Sequence, residues 1–110
     1  MTQDDDAADV YVIRFSEPAE AELEAADLQL SAHSFALAER WNAGILAACE
    51  SLSQLPRRYP LAPAQTSGGY ETRRMLFRSG KIAYWILYTI AEATEDSPAL
   101  VRILHIRCSS

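Results

Sequence analysis

Cysteine is scarce in this 110-residue chain, with only Cys49 and Cys108 present. Two cysteines allow at most one disulfide, and a pair of free thiols in a reducing cytosol is expected ahead of that bridge. Glycine and proline are also few, at 4 and 5, which excludes collagenous, linker-like and low-complexity chains. No apolar run approaches the roughly 18 residues that a membrane helix needs. The opening Met1-Thr2-Gln3-Asp4-Asp5-Asp6 lacks the basic-then-apolar pattern of a secretory signal, so a cytoplasmic protein is expected. Neither a GxGxxG loop, a P-loop nor a Gly-x-Ser-x-Gly elbow occurs. Histidine is limited to His33 and His105, and the His105/Cys108 pair has no second cluster to complete a zinc site, so neither metal nor cofactor is expected.

What is there is an ordinary globular composition, 49% hydrophobic and 23% charged, in a length suited to one domain. The net charge of −5 argues against a polyanionic partner only if charge is spread evenly. It is not: residues 1–50 hold 11 acidic and 2 basic side chains (−9), and residues 51–110 hold 4 and 8 (+4).

Residues 1–9 carry Asp4, Asp5, Asp6 and Asp9 without large periodic apolar groups and read as a flexible acidic lead-in to a domain over residues 10–110. Val10 to Phe15 reads as a strand with Tyr11, Ile13 and Phe15 on one face and Arg14 on the other. Ser16 reads as an N-cap followed by Glu17, Pro18 and Glu20, and Ala19, Leu23, Ala26 and Leu30 continue at helical spacing. A second helix is expected from Ser31 or Ser34 to about Leu55, its core stripe being Phe35, Ala38, Trp41, Ile45, Ala48, Leu52 and Leu55. Pro56 stops it, and a loop with a Gly68-Gly69 hinge follows.

Three strands then read as an antiparallel meander: Tyr70 to Arg78, a Ser79-Gly80 turn, Lys81 to Ile90, a polar turn, and Leu100 to Arg107. The order β-α-α-β-β-β makes a two-layer α+β domain, a helical hairpin packed on a small antiparallel-rich sheet. Basic groups concentrate at Arg73, Arg74, Arg78 and Lys81 near the hairpin, with Arg57-Arg58 in the loop and Arg102 and Arg107 on the last strand. Alternation turns Arg74 and Arg78 one way and Arg73 the other, so Arg74, Arg78 and Arg107 could clamp a phosphate; solubilising edge charge is the plainer alternative. His105 is placed on the face of Val101, Ile103 and Arg107, as a general acid or base or as a hydrogen-bonded core residue.

Several segments together carry a resemblance. They are Ala38-x-x-Trp41, Leu55-Pro56-x-x-Tyr59-Pro60, Glu71-Thr72-Arg73-Arg74-x-Leu76-Phe77-Arg78, Ala83-Tyr84-x-Ile86-Leu87-Tyr88 and His105-Ile106-Arg107. In this order and spacing, over residues 10–108, the chain resembles the RelE/ParE toxin superfamily of plasmid-stabilisation toxins. The resemblance implies the toxin of a type II toxin–antitoxin module, neutralised by a cognate antitoxin, as a homodimer or a hetero-oligomer with that antitoxin; the apolar flank of the two helices and the groove they form with the sheet are the expected antitoxin site. RelE-like members cleave ribosome-bound mRNA without metal, and ParE-like members block DNA gyrase. For the RNase, Arg74, Arg78 and Arg107 match by position the cations that would meet phosphorane charge; Arg73, Lys81 and His105 are the further target-binding candidates. Trp85 stands where RNase relatives commonly carry an arginine, Lys81 is the only lysine, and Ser110 falls before any C-terminal catalytic tyrosine. Gyrase binding is therefore expected ahead of mRNA cleavage, with a non-toxic domesticated homologue as a third reading.

Overall fold

The computed structural model describes residues 10–63 and 71–109. The expected lead-in over residues 1–9, the Gly68-Gly69 hinge and the Tyr70 strand start lie outside the described residues. Strand β1 (Val12–Phe15) leads to helices α1 (Glu17–Ser31) and α2 (Phe35–Glu50), and strands β2 (Thr72–Ser79), β3 (Ile82–Ala91) and β4 (Leu100–Cys108) complete the order. The result is the expected two-layer α+β fold. The sheet order is β1-β4-β3-β2, with β1 parallel to β4 and the other pairs antiparallel.

Local chemistry explains the helix starts. Ser16 Oγ accepts the Ala19 N–H at 3.1 Å and Ser34 Oγ accepts that of Leu37 at 3.1 Å, each satisfying a donor that the helix leaves orphaned. Glu17 and Glu20 add negative charge at the positive end of α1. Helix α2 ends at Glu50, short of the expected Leu55, and passes into a 3₁₀ turn over Ser51–Ser53. Arg58 ties down the segment after this turn by donating to the carbonyls of Gln54 at 2.5 Å and Leu55 at 3.1 Å.

The core stripe holds in its middle and fails at its ends. Ala38, Trp41, Ile45 and Leu52 are buried, but Phe35 is 71% and Leu55 is 70% exposed. Phe35 is the first helical residue and Leu55 lies beyond the last, so a 3.6 rhythm runs on past the sheet that would cover it. Trp41 lies against Tyr84 with ring centroids 5.1 Å apart and planes at 56°. Gly44 permits the close approach of α2 to β2: a Cβ there would stand 2.9 Å from Phe77 Cζ.

Two sequence expectations about the sheet are corrected. The hairpin turn is Gly80-Lys81 instead of Ser79-Gly80, because Ser79 still pairs with Ile82 and the positive φ of 64° falls on Gly80, the first residue of a two-residue loop. Lys81 is therefore a turn residue. His105 does not share a face with Val101 and Ile103. Tyr88 pairs with Ile103 and Leu87 with His105, so Leu104 is an extra residue in β4. This bulge inverts the alternation: Val101 and Ile103 face the helices before it, Ile106 faces them after it, and His105 and Arg107 register with Leu87 and Trp85 on the opposite face.

One buried hydrogen bond ties the loop after α2 to the sheet: Tyr88 Oη donates to the Pro56 carbonyl at 2.6 Å. Burial pushes the Tyr88 phenol up from 10.0 to about 12. The folded value exceeds the unfolded one, so its stabilising effect is complete below pH 10 and fades as pH rises toward 12. Tyr88→Phe should lose about 1–2 kcal/mol at pH 7 by orphaning the carbonyl. It should also flatten the decline in melting temperature between pH 10 and 12, read by circular dichroism.

Candidate functional site

The charge asymmetry noted along the sequence becomes an asymmetry between layers. The acidic residues Glu17, Glu20, Glu22, Glu24 and Asp27 all ride on α1. On the sheet face turned away from the helices stand Arg14, Arg74, Arg78, Arg102 and Arg107, because Ile13, Met75, Val101, Ile103 and Ile106 beside them in sequence face the core. Among the described residues, Arg14, Arg74, Arg78 and Arg102 have no carboxylate within ion-pair distance, and Arg107 has only Glu22 at 3.9 Å.

Arg74 and Arg107 come together in one pocket of about 240 Å³, lined also by Ala62, Pro63, Trp85, Leu87 and Cys108. Trp85 lies between them by register: it pairs with Arg107 on one side and with Leu76 on the other, and the Arg74 guanidinium carbon sits 4.1 Å from the indole centroid. That distance is a cation–π contact. Stacking orients the guanidinium without using its donors, and Arg74 Nε is buried with no hydrogen-bond partner among the described residues. The Arg74 backbone is also pinned, since its N–H donates to the Pro60 carbonyl at 3.1 Å and Ala62 N–H donates to Thr72 O at 2.9 Å.

The other predicted site residues lie elsewhere. Arg78 is exposed on the same face, paired with Ala83 at the hairpin end, and does not line the pocket. Lys81 is exposed in the turn. Arg73 points to the helix side, where its Nε donates to Glu71 and its Nη1 donates to the Tyr59 carbonyl at 2.6 Å. Burial would raise Glu71, but hydrogen bonds from Arg73 and then Arg57 hold its carboxyl below the ordinary range. Arg57 also reaches Glu92 at 2.7 Å, which raises the guanidinium further. Arg57, Arg73, Glu71 and Glu92 thus form a clasp joining the loop after α2 to the sheet.

His105, on the open face, meets a carboxylate of helix α1 at the edge of β4. Its Nδ1 stands 3.3 Å from Glu22 Oε2, and Glu22 Oε1 accepts the Ile106 N–H at 2.7 Å. Strand β1 ends at Phe15, which leaves this stretch of β4 without a strand on the side away from β3, so Glu22 occupies the free edge. Sequence reasoning missed Glu22, which looks like one acidic residue of a solvated helix face. It also missed Trp85 as the platform for Arg74; their separation of 11 residues conceals a diagonal neighbour that only register reveals.

Comparison of the chain with family profiles gives a match over residues 13–110 to the family described as the ParE toxin of the type II toxin–antitoxin system, parDE. No curated protein matches the chain significantly. Among the described residues, no helix is long and apolar enough to cross a membrane, and no group of three or more His, Cys, Asp or Glu could hold a metal.

Proposed function

We propose, because the chain belongs to the ParE toxin family of type II toxin–antitoxin systems, that it arrests growth in the cytoplasm by binding DNA gyrase and is held inactive by its cognate antitoxin. The observation that carries binding over cleavage is the lining of the Arg74–Arg107 pocket. RNA cleavage through a ribose 2′-OH needs a base as well as cations. Among the described residues the pocket offers two guanidinium groups, which carry donors and no acceptor, with an indole and a thiol, but no carboxylate, imidazole or lysine. Its one nearby imidazole is engaged by Glu22. Such a surface is suited to holding an anionic or aromatic group of a partner.

The antitoxin reading rests on the opposite layer. Leu28 on α1 and Phe35 and Leu46 on α2 are exposed apolar residues, and α1 also carries the acidic side chains of this layer. An amphipathic segment with basic flanks would cover both features.

Purified protein should inhibit gyrase supercoiling of relaxed plasmid. Primer extension on transcripts from induced cells should show no discrete ribosome-dependent cuts. Cuts with supercoiling intact would establish the mRNA interferase instead, and growth unaffected by expression would establish the non-toxic reading. Co-expression of a small neighbouring open reading frame should restore growth.

A further inference from the structure

At the β1 side of the open face, Arg14 and Arg102 are direct register partners on adjacent parallel strands. Neighbouring strands lie about 4.8 Å apart, so two like charges face one another across the ladder, an arrangement that is ordinarily unfavourable. Among the described residues neither has an acidic partner, and their side-chain hydrogen bonding amounts to one long contact, 3.4 Å, from Arg14 Nη1 to the Ile13 carbonyl. The chain as a whole is acidic, so a general excess of basic charge does not account for the pair. Both line a pocket of about 300 Å³, together with Val12, Phe15, Ser97, Pro98 and Leu100. It shares no lining residue with the Arg74–Arg107 pocket.

We infer that this pocket binds the phosphate of a small phosphorylated molecule, with Arg14 and Arg102 as a paired clamp. Charge and oxygen count select the ligand class. Two planar forks present two charges and several donors, and a phosphate monoester dianion returns two charges and three terminal oxygens. A single carboxylate has one charge and two oxygens, enough for one fork. The apolar wall beside the clamp receives the organic part of the ester, and about 300 Å³ is the lower end of small-ligand pockets. A nucleoside monophosphate has this combination of parts. The inference stands apart from gyrase binding, since it concerns different residues.

The test is calorimetric titration of the full chain at pH 8 and low ionic strength with 5′-AMP, inorganic phosphate and glutamate, each up to 10 mM. 5′-AMP should bind, inorganic phosphate should compete with it more weakly, and glutamate should do neither. Arg14→Gln and Arg102→Gln should each weaken 5′-AMP at least tenfold, while Arg40→Gln, an equal change of net charge on α2, should leave it within twofold. The ligand-free melting temperatures of the two site variants should equal or exceed that of the parent, because each removes a like-charge pair. No binding of either phosphate, glutamate binding as tightly as 5′-AMP, or equal losses in all three variants would overturn the assignment.

Discussion

An Arg74→Ala, Arg107→Ala double variant should be folded and antitoxin-competent yet lose growth arrest, with the concentration needed for target inhibition rising at least about 100-fold. The magnitude follows from the pocket. A hydrogen bond to a charged group contributes about 1.5–3 kcal/mol, and two such groups share this site. Losing about 2.7 kcal/mol is already a factor of 100. Each single variant should fall between parent and double variant. Arg74→Lys is the sharper probe: it keeps the charge but loses the planar group that stacks 4.1 Å from the Trp85 centroid. It should lose about tenfold, and a matching loss in Trp85→Leu would assign the defect to guanidinium orientation. Thermal melting of all five variants separates loss of fold from loss of contact; full activity in the folded double variant would remove this pocket from the target interface.

The second large effect is on stability. Trp41 is fully buried on α2, with its ring against Tyr84, and truncation to alanine leaves a void that the sheet and helix cannot both close. Trp41→Ala should cost about 3–5 kcal/mol. Domains of this size have only about 5–15 kcal/mol in hand, so the midpoint should drop by roughly 12 °C or more, if the protein accumulates at all. Trp41→Phe should be far milder, because Trp41 Nε1 has no hydrogen-bond partner among the described residues and its removal orphans nothing. Toxicity should follow folded fraction in both variants, which makes Trp41 a reporter of the scaffold and not of the site.

These predictions differ in how visible their residues were beforehand. Trp41 was readable as core because Ala38, Trp41 and Ile45 fall on one helical face, and a helix stripe is a local property. Arg74 was assigned to the face away from Arg73 by the same local logic, and the two faces are indeed opposite. His105 defeated that logic. One unpaired residue, Leu104, reverses the alternation along β4, and nothing in the sequence between Val101 and Arg107 marks a bulge. The pairing of Arg14 with Arg102 was equally hidden, since it requires β1 to lie parallel beside β4 across a separation of 88 positions.

The sequence by itself determined the element order, the two-layer α+β class, the middle of the core stripe and the division of charge between helices and sheet. All of these follow from periodicity, capping and composition, which act over a few neighbouring residues. Only the tertiary structure decided which arginines meet: Arg74 with Arg107 across Trp85, Arg14 with Arg102, Arg73 in a clasp, and Arg78 apart. Register, bulge and strand order are set by long-range packing against the helices. A shift of one residue in any of them would have given the same secondary structure and a different surface.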